Sequence, residues 1–484
     1  MPTQILTIAR VTLIECLRQP VTFVLVVLCG FMQYLNTWQA GFSMGSTTGA
    51  EVSGDNKLLL DIGLSTVFVC GMLLAAFLAT SAIAREIENK TILTIVSKPI
   101  SRTAIVLGKY LGVSGAVLVA VLTMLLFLLM GIRHGVMSTA ADKLDGPVLV
   151  FTFSAVTLSL LLAAASNYWY GWSFAQTALL AMLPAMFIAY GLVVFIGKDW
   201  NLQPLYHNEY LRNDIWWAQD KYIDRFPQQG FEGYPHRRIY ETFKPQITVA
   251  AYSLTLAILV LCAIATAVST RLGQIMTIVV CSGVFLFGLL SNHLLGRNAF
   301  VNTPVSQVMQ VDFPDPRRTD LSGRGDTCTV QIKPDAQITP SVGDSIYWGP
   351  NPNGLGLATG AHRAFTGDPA DDGDLFSENT APNVIVTHIE GETLTIRNIG
   401  LRPARVARPP GIGDYVFLAP TRVNLVSATA WAVIPNMHFF WLIDAVSQNV
   451  PVPFGHVALI TGYTATQTVA FLALGVLLFQ RRDV

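Results

Sequence analysis

The chain has 484 residues, 52% of them hydrophobic and only 13% charged, with a formal net charge of zero and a mean hydropathy of +0.48. Ordinary soluble domains carry about 25% charged residues, so the composition excludes a soluble globule and indicates an α-helical integral membrane protein. The balanced charge offers no argument for nucleic acid as a partner.

Residues 1–20 lack a small-residue cleavage site and read as a cytoplasmic amphipathic helix leading into a first span rather than as a signal peptide. A bilayer is crossed by about 20 predominantly apolar residues. Eight runs meet that length: 21–38, 58–83, 111–131, 148–165, 175–196, 247–268, 276–295 and 457–479. The first seven make up a bundle over 21–295. The fourth and fifth runs are parted only by an aromatic cluster, Tyr168, Trp169, Tyr170 and Trp172, which suits a membrane–water interface. An even number of spans puts both termini on one side. That side receives Arg10, Arg18, Arg85, Lys90, Lys98, Arg102, Lys109 and Arg271, against Lys57, Arg133 and Lys143 in the short opposite loops. The positive-inside rule makes the richer side cytoplasmic. The outer loop 198–246 opposes this reading with Lys198, Arg212, Lys221, Arg225, Arg237, Arg238 and Lys244. Its aromatic residues, among them Tyr206, Trp216, Trp217 and Tyr234, are expected to pack as a lid on the interface or to form a substrate-gripping surface.

Between the second and third runs lies a charged island, 84–110, reading AREIENKTILTIVSKPISRTAIVLGKY. Two spans pin it to the membrane surface, which places it to receive force from a soluble partner. Glu86 and Glu88 are expected at the cytoplasmic surface, where reversing their charge leaves the lone subunit folded. Asp61 and Lys109 are expected near the water boundaries. The spans hold almost no other ionisable residues, and such residues usually mark proton or ion paths. A proton-coupled transporter is therefore disfavoured.

The polar block 296–425 reads as a β-rich extracytoplasmic insert. Strand-like runs occur at 327–332, 344–348, 383–389, 393–398 and 414–418, bounded by Gly, Pro and Asp. Ile389-Glu390-Gly391-Glu392-Thr393 predicts a compact hairpin turn. Val342-Gly343-Asp344 and Ile412-Gly413-Asp414 echo each other and suggest a small barrel of quasi-repeated hairpins. Residues 350–377 read as a mobile loop. Within it, the four carboxylates of 368–374 lack the spacing of an EF-hand and read as a solvated acidic stretch. Cys328 is the one cysteine of this block and is expected in its water-exposed part. The other five lie in or beside apolar segments, so neither a disulfide framework nor a zinc site is expected. Residues 426–456, broken by Pro435, predict a re-entrant or interfacial hairpin before the last helix and cytoplasmic tail of 457–484.

No Gly-x-x-x-x-Gly-Lys-Ser/Thr occurs, so the chain is expected to bind no nucleotide through a P-loop. Leu321-Ser322-Gly323-Arg324-Gly325-Asp326 has no Walker lysine to accompany it and reads as a turn. No Ser/His/Asp or Cys/His pattern points to catalysis.

Arg85-Glu86-Ile87-Glu88-Asn89-Lys90-Thr91-Ile92, followed by Ser97-Lys98-Pro99-Ile100-Ser101-Arg102, resembles the first cytoplasmic coupling segment of ABC-2 type transporter permeases. The Ile434-Pro435-Asn436 wording and the Phe479-Gln480-Arg481-Arg482-Asp483 ending are similar to that family as well. The resemblance implies a membrane subunit, itself not an enzyme, that pairs with a second permease subunit and docks a cytoplasmic ABC ATPase. ATP and Mg would be held by that partner. It further implies an exporter in a bacterial inner membrane, in contact with lipid. Arg85, Glu86, Glu88, Lys90, Thr91, Ser97, Pro99, Ser101 and Arg102 become the ATPase-coupling residues, with Pro99 and the Ser97/Ser101 turn setting the angle to the third span. Six spans are usual in that family, so the pair 247–295 and the insert depart from its pattern. The competing class is a non-transporting scaffold or sensor whose insert binds an envelope partner.

Overall fold

The computed structural model describes residues 2–39, 48–88, 101–136, 144–198, 200–202, 206–207, 236–237, 245–314, 321, 325–334, 338–350, 352, 384–399, 409–442, 452 and 454–481. It divides into two compact units, one of Met1–Phe285 with Met437–Val484 and one of Leu286–Asn436.

The first unit is helical: α1 (Pro2–Arg18), α2 (Pro20–Gln39), α3 (Thr48–Glu88), α4 (Arg102–His134), α5 (Gly146–Tyr170), α6 (Phe174–Phe195), α7 (Pro245–Ser269), the start of α8 (Gln274–Ser291) and, after the second unit, α10 (Phe454–Gln480). Eight helices, all but α1 and a short α9 described below, are long and apolar enough to cross a membrane among the described residues. The protein is therefore a multi-pass membrane protein, as its composition requires. Helix ends follow local chemistry. Ser101 accepts a hydrogen bond from Ala104 N at the start of α4, and Asp145 accepts one from Val148 N at the start of α5. Gly171, at φ +67°, ends α5 in the left-handed region that a side chain resists. The aromatic link is thus shorter than its sequence suggests. Tyr168, Trp169 and Tyr170 form the exposed last turn of α5, and only residues 171–173 connect it to α6.

Helix α4 is the centre of this unit and packs against α1, α2, α3, α6, α7 and α10. Its contact with α1 is a backbone approach. A Cβ on Gly108 would lie 2.7 Å from Ile8, and one on Gly112 would lie 2.6 Å from both the Ala9 carbonyl oxygen and Thr12 Cβ. Small residues four apart permit such closeness, and α1 is thereby docked along α4. Elsewhere in the bundle, Gly71 of α3 meets Ile258 of α7, and Gly475 of α10 meets Ala267 of α7. Two buried amides of α2 donate to the backbone of α3. Gln33 Nε2 donates to Gly63 O at 3.0 Å and Asn36 Nδ2 to Leu59 O at 2.8 Å, which removes much of their cost in an apolar setting.

The second unit holds a closed six-stranded barrel: β1 (Pro304–Asp312), β2 (Thr327–Ile332), β3 (Ser345–Gly349), β4 (Val384–Glu390), β5 (Thr393–Asn398) and β6 (Tyr415–Leu418). All pairs are antiparallel, in the order β1-β2-β5-β4-β3-β6 and back to β1. Exchanging β1 with β4, β2 with β5 and β3 with β6 leaves that order unchanged. The echo of the two Gly-Asp entries is therefore a real internal two-fold repeat. Gly343 (φ +93°) donates to Val386 O and Gly413 (φ +92°) to Val308 O. Asp344 Oδ2 accepts from Ser341 N and Asp414 Oδ2 from Gly411 N. Register shifts fall at the matching places, Val308/Gln310 and Val386/His388. The predicted hairpin turn stands between Glu390 and Thr393, with Gly391 at φ +62°.

Cys328 corrects one expectation. It is fully buried, alternating inward with Val330 and Ile332 along β2 and packed with Val305, Leu394 and Ile396 in the barrel core. Burial pushes its thiol up to about 12. Also in this unit, α8 ends in a π-helical turn, Asn292–Gly296, and α9 (Leu425–Val433) follows β6. Trp431 Nε1 and Asn436 Nδ2 both donate to Asn292 Oδ1. Of the predicted hairpin 426–456, residues 443–451 and 453 lie outside the described residues, and the described part opens with the nine-residue α9, which ends at Val433 before Pro435. In the first unit it continues as a short 3-10 turn, Met437–Phe440, whose Phe440 carbonyl accepts from Ser253. Most of 198–246 and all of 353–383 lie outside the described residues.

Candidate coupling site

Of the proposed coupling residues, Lys90, Thr91, Ser97 and Pro99 lie outside the described residues, as do the side chains of Arg85 and Glu88. The structure shows what the two ends of the segment are attached to. Its entry is the last turn of α3, carrying Glu86. Its exit is the first turn of α4, carrying Ser101 as N-cap and Arg102 as first helical residue.

Glu86 and Lys109 correct the surface reading. Lys109 is only 4% exposed. Its Nζ donates to Glu86 Oε1 at 2.5 Å and lies 4.0 Å from Glu15 Oε2 of α1. The Glu86 side chain is about one-fifth exposed. The pair is therefore an internal tie between α3, α4 and α1 rather than two solvated charges. Lys109 sits two helical turns into α4 at the point where α1 crosses on Gly108 and Gly112, which shields its ammonium from water. A second tie from the same region, Gln19 Nε2 to Ser81 Oγ at 2.5 Å, joins the α1–α2 corner to α3.

Arg102 faces the other way. Its Nη1 donates to the carbonyls of Phe479 (3.1 Å) and Gln480 (2.8 Å), and its guanidinium carbon lies 5.7 Å from the Phe479 ring centre. Those carbonyls close α10, where a helix has no internal donors for its last four C=O groups and presents its negative end. Ile83, Glu86, Ile105, Val106, Lys109, Thr270 and Phe479 enclose a cavity of about 10 Å³, at the lower edge of what one water needs. Residues from α3, α4, α10 and the turn after α7 thus converge on one small node at the base of the segment.

A family model described as "ABC-2 family transporter protein" matches residues 6–205. Over residues 6–205 the chain carries an ABC-2 family transporter domain. The match runs from α1 through α6 and includes the coupling segment, Glu15, Glu86, Arg102 and Lys109. The pair α7–α8, the barrel and α10 lie beyond it. No curated protein and no solved structure matches the chain. The matched domain is thus followed by a second helical pair, a barrel insert and a last helix that the family model does not cover.

Three features of the node escape a reading of sequence alone. Glu86 and Lys109 are 23 residues apart and look like ordinary loop charges. Arg102 and its carbonyl partners are separated by more than 370 residues. Gly108, at the crossing with α1, carries no mark beyond its four-residue spacing from Gly112, a spacing that does signal close helix packing.

Proposed function

We propose that this chain is an ABC-2 type permease, the membrane half of an ATP-driven exporter in a bacterial inner membrane, paired with a second permease subunit and docked on a separate cytoplasmic ABC ATPase that holds ATP and Mg. Residues 84–110 make the docking surface, with Arg85, Glu88, Lys90, Thr91, Ser97 and Pro99 toward the ATPase and Glu86, Ser101 and Arg102 fastening the segment to the bundle. The node carries this reading. A loop that only connected two spans would need no buried ion pair at one end and no arginine bound to the last helix at the other. A segment that receives force needs both, because movement is transmitted only through elements that resist separation. Closure of the ATPases would then move α3, α4 and α10 together, a rigid-body change of the bundle. The insert, by the parity of the spans, faces away from the cytoplasm.

The test is purification of the tagged permease from its host and reconstitution in liposomes. An ABC ATPase that co-purifies and hydrolyses ATP faster with the permease than alone supports the proposal. A stable assembly without any ATPase overturns it and favours the scaffold class.

A further inference from the structure

We propose that Arg271, outside both the coupling segment and the region matched by the family, is a positioning residue for coupling: with Arg102 it clamps the last turn of α10, so that α10 moves with the coupling segment. The inference rests on the coupling reading above.

Arg271 lies in the turn between α7 and α8, and its Nε donates to Leu478 O at 2.9 Å. Arg102 holds Phe479 O and Gln480 O. The carbonyl before these, Leu477 O, accepts from Arg481 N at 3.2 Å. The three final carbonyls of α10 are therefore taken by two arginines from two different parts of the chain. One C-terminal basic residue is a common helix cap. Here the caps reach α10 from separate elements, one of them the immediate exit of the coupling segment. Charge-assisted bonds to the negative end of a helix are among the stronger polar contacts. Between the arginines, Phe479 is 1% exposed and closes the node cavity. Across α10 the buried residues are Ile460, Thr464, Gln467, Leu472, Gly475 and Phe479, six of 27, and the helix packs along α7. At its C-terminal end the two arginines add a polar attachment to that apolar packing.

Connectivity gives the clamp its consequence. The chain enters the barrel-bearing unit from α8 and returns through α10. Arg271 immediately precedes α8 and binds the end of α10, so it ties the two stems of the insert together. Arg102 ties that pair to the coupling segment. A displacement of the segment is thereby delivered to both stems at once.

Spin labels at Thr103→Cys, at the exposed start of α4, and Arg481→Cys, at the end of α10, test this in the permease–ATPase complex, with Tyr168→Cys and Arg481→Cys as the reference pair. The cysteines of the described residues are all buried. Between the nucleotide-free and the ATP-vanadate-trapped complex, the 103–481 distance should stay constant while the 168–481 distance shifts. In Arg271→Ala the 103–481 distance should become nucleotide-dependent and stimulated ATP hydrolysis should fall by roughly tenfold, the scale of one lost charge-assisted bond. Arg271→Lys should restore both. A mere cap would lower thermal stability without making the distance respond to nucleotide. An unchanged, nucleotide-independent distance in a folded Arg271→Ala complex overturns the proposal, as does a 103–481 distance that changes with nucleotide in the unmutated clamp. Failure of any ATPase to bind overturns the coupling reading and removes this inference with it, a result distinguishable from either of those.

Discussion

Replacing Glu86 by Gln removes the closest counter-charge of Lys109, an ammonium 4% exposed. Breaking a buried pair from one side typically costs about 3–5 kcal/mol, because the remaining charge is left without compensation. Two features reduce that here. Glu15 Oε2 remains 4.0 Å away, and the Glu86 side chain is itself about one-fifth exposed. A loss of about 2–3 kcal/mol follows, and Glu86→Arg, which opposes two cations, should cost more. Lys109→Met in the same chain removes the charge that needs a partner while keeping an unbranched side chain of similar length beside the node cavity. Replacing a whole buried pair by apolar groups is often neutral, so the double variant should recover most of the loss. The assay is thermal unfolding of the detergent-solubilised permease in a double-mutant cycle, with a coupling energy of at least about 1.5 kcal/mol expected. Additive single effects, or a Glu86→Gln protein as stable as wild type, would refute the internal-tie assignment.

Gly112→Val should pry α1 from α4, since its Cβ would meet Ala9 carbonyl and Thr12 at 2.6 Å; a loss of about 1–3 kcal/mol should appear as earlier proteolysis of the N-terminal helix. Native Cys328 should resist a membrane-impermeant maleimide at neutral pH from either side, because it is buried and its thiol is held up to about 12, and should react only once the barrel is unfolded; Gly373→Cys, labelled before or after the membrane is broken, reports the side of the insert. Gly343→Ala and Gly413→Ala, at φ +93° and +92°, should each destabilise the barrel by about 1–2 kcal/mol and by similar amounts, as the two-fold repeat requires; hydrogen exchange at β4 and β1 respectively would check both.

Spans were readable because a bilayer imposes long apolar runs, and helices α4 and α5 exceed the predicted bounds only where charged or polar residues ended the hydropathy signal. Lys109 illustrates the limit: a charge reads as a boundary, whereas the structure continues α4 through it and supplies Glu86 to satisfy it. In the barrel, β2 and β5 fall on the predicted 327–332 and 393–398 because turn residues bracket a strict alternation. Strand β1 was missed, since it opens on Pro304, is rich in Gln and Ser, and is shifted in register at Val308/Gln310, which breaks its period of two. Cys328 was misplaced because a polar composition describes the whole insert, while alternation decides which residue of a strand points inward. The clamp on α10 had no sequence signal at all, for it joins single arginines to backbone carbonyls hundreds of residues away.

The central claim, that residues 84–110 dock an ATPase and the node fastens them to the bundle, is tested most directly by replacing 89–100 with a Gly/Ser linker of equal length. Such a chain keeps Glu86, Ser101, Arg102 and Lys109, and with them the ends of α3 and α4. It should insert and melt like the wild-type permease while no longer retaining an ABC ATPase through purification. An ATPase bound and stimulated to the normal extent by that chain would contradict the account.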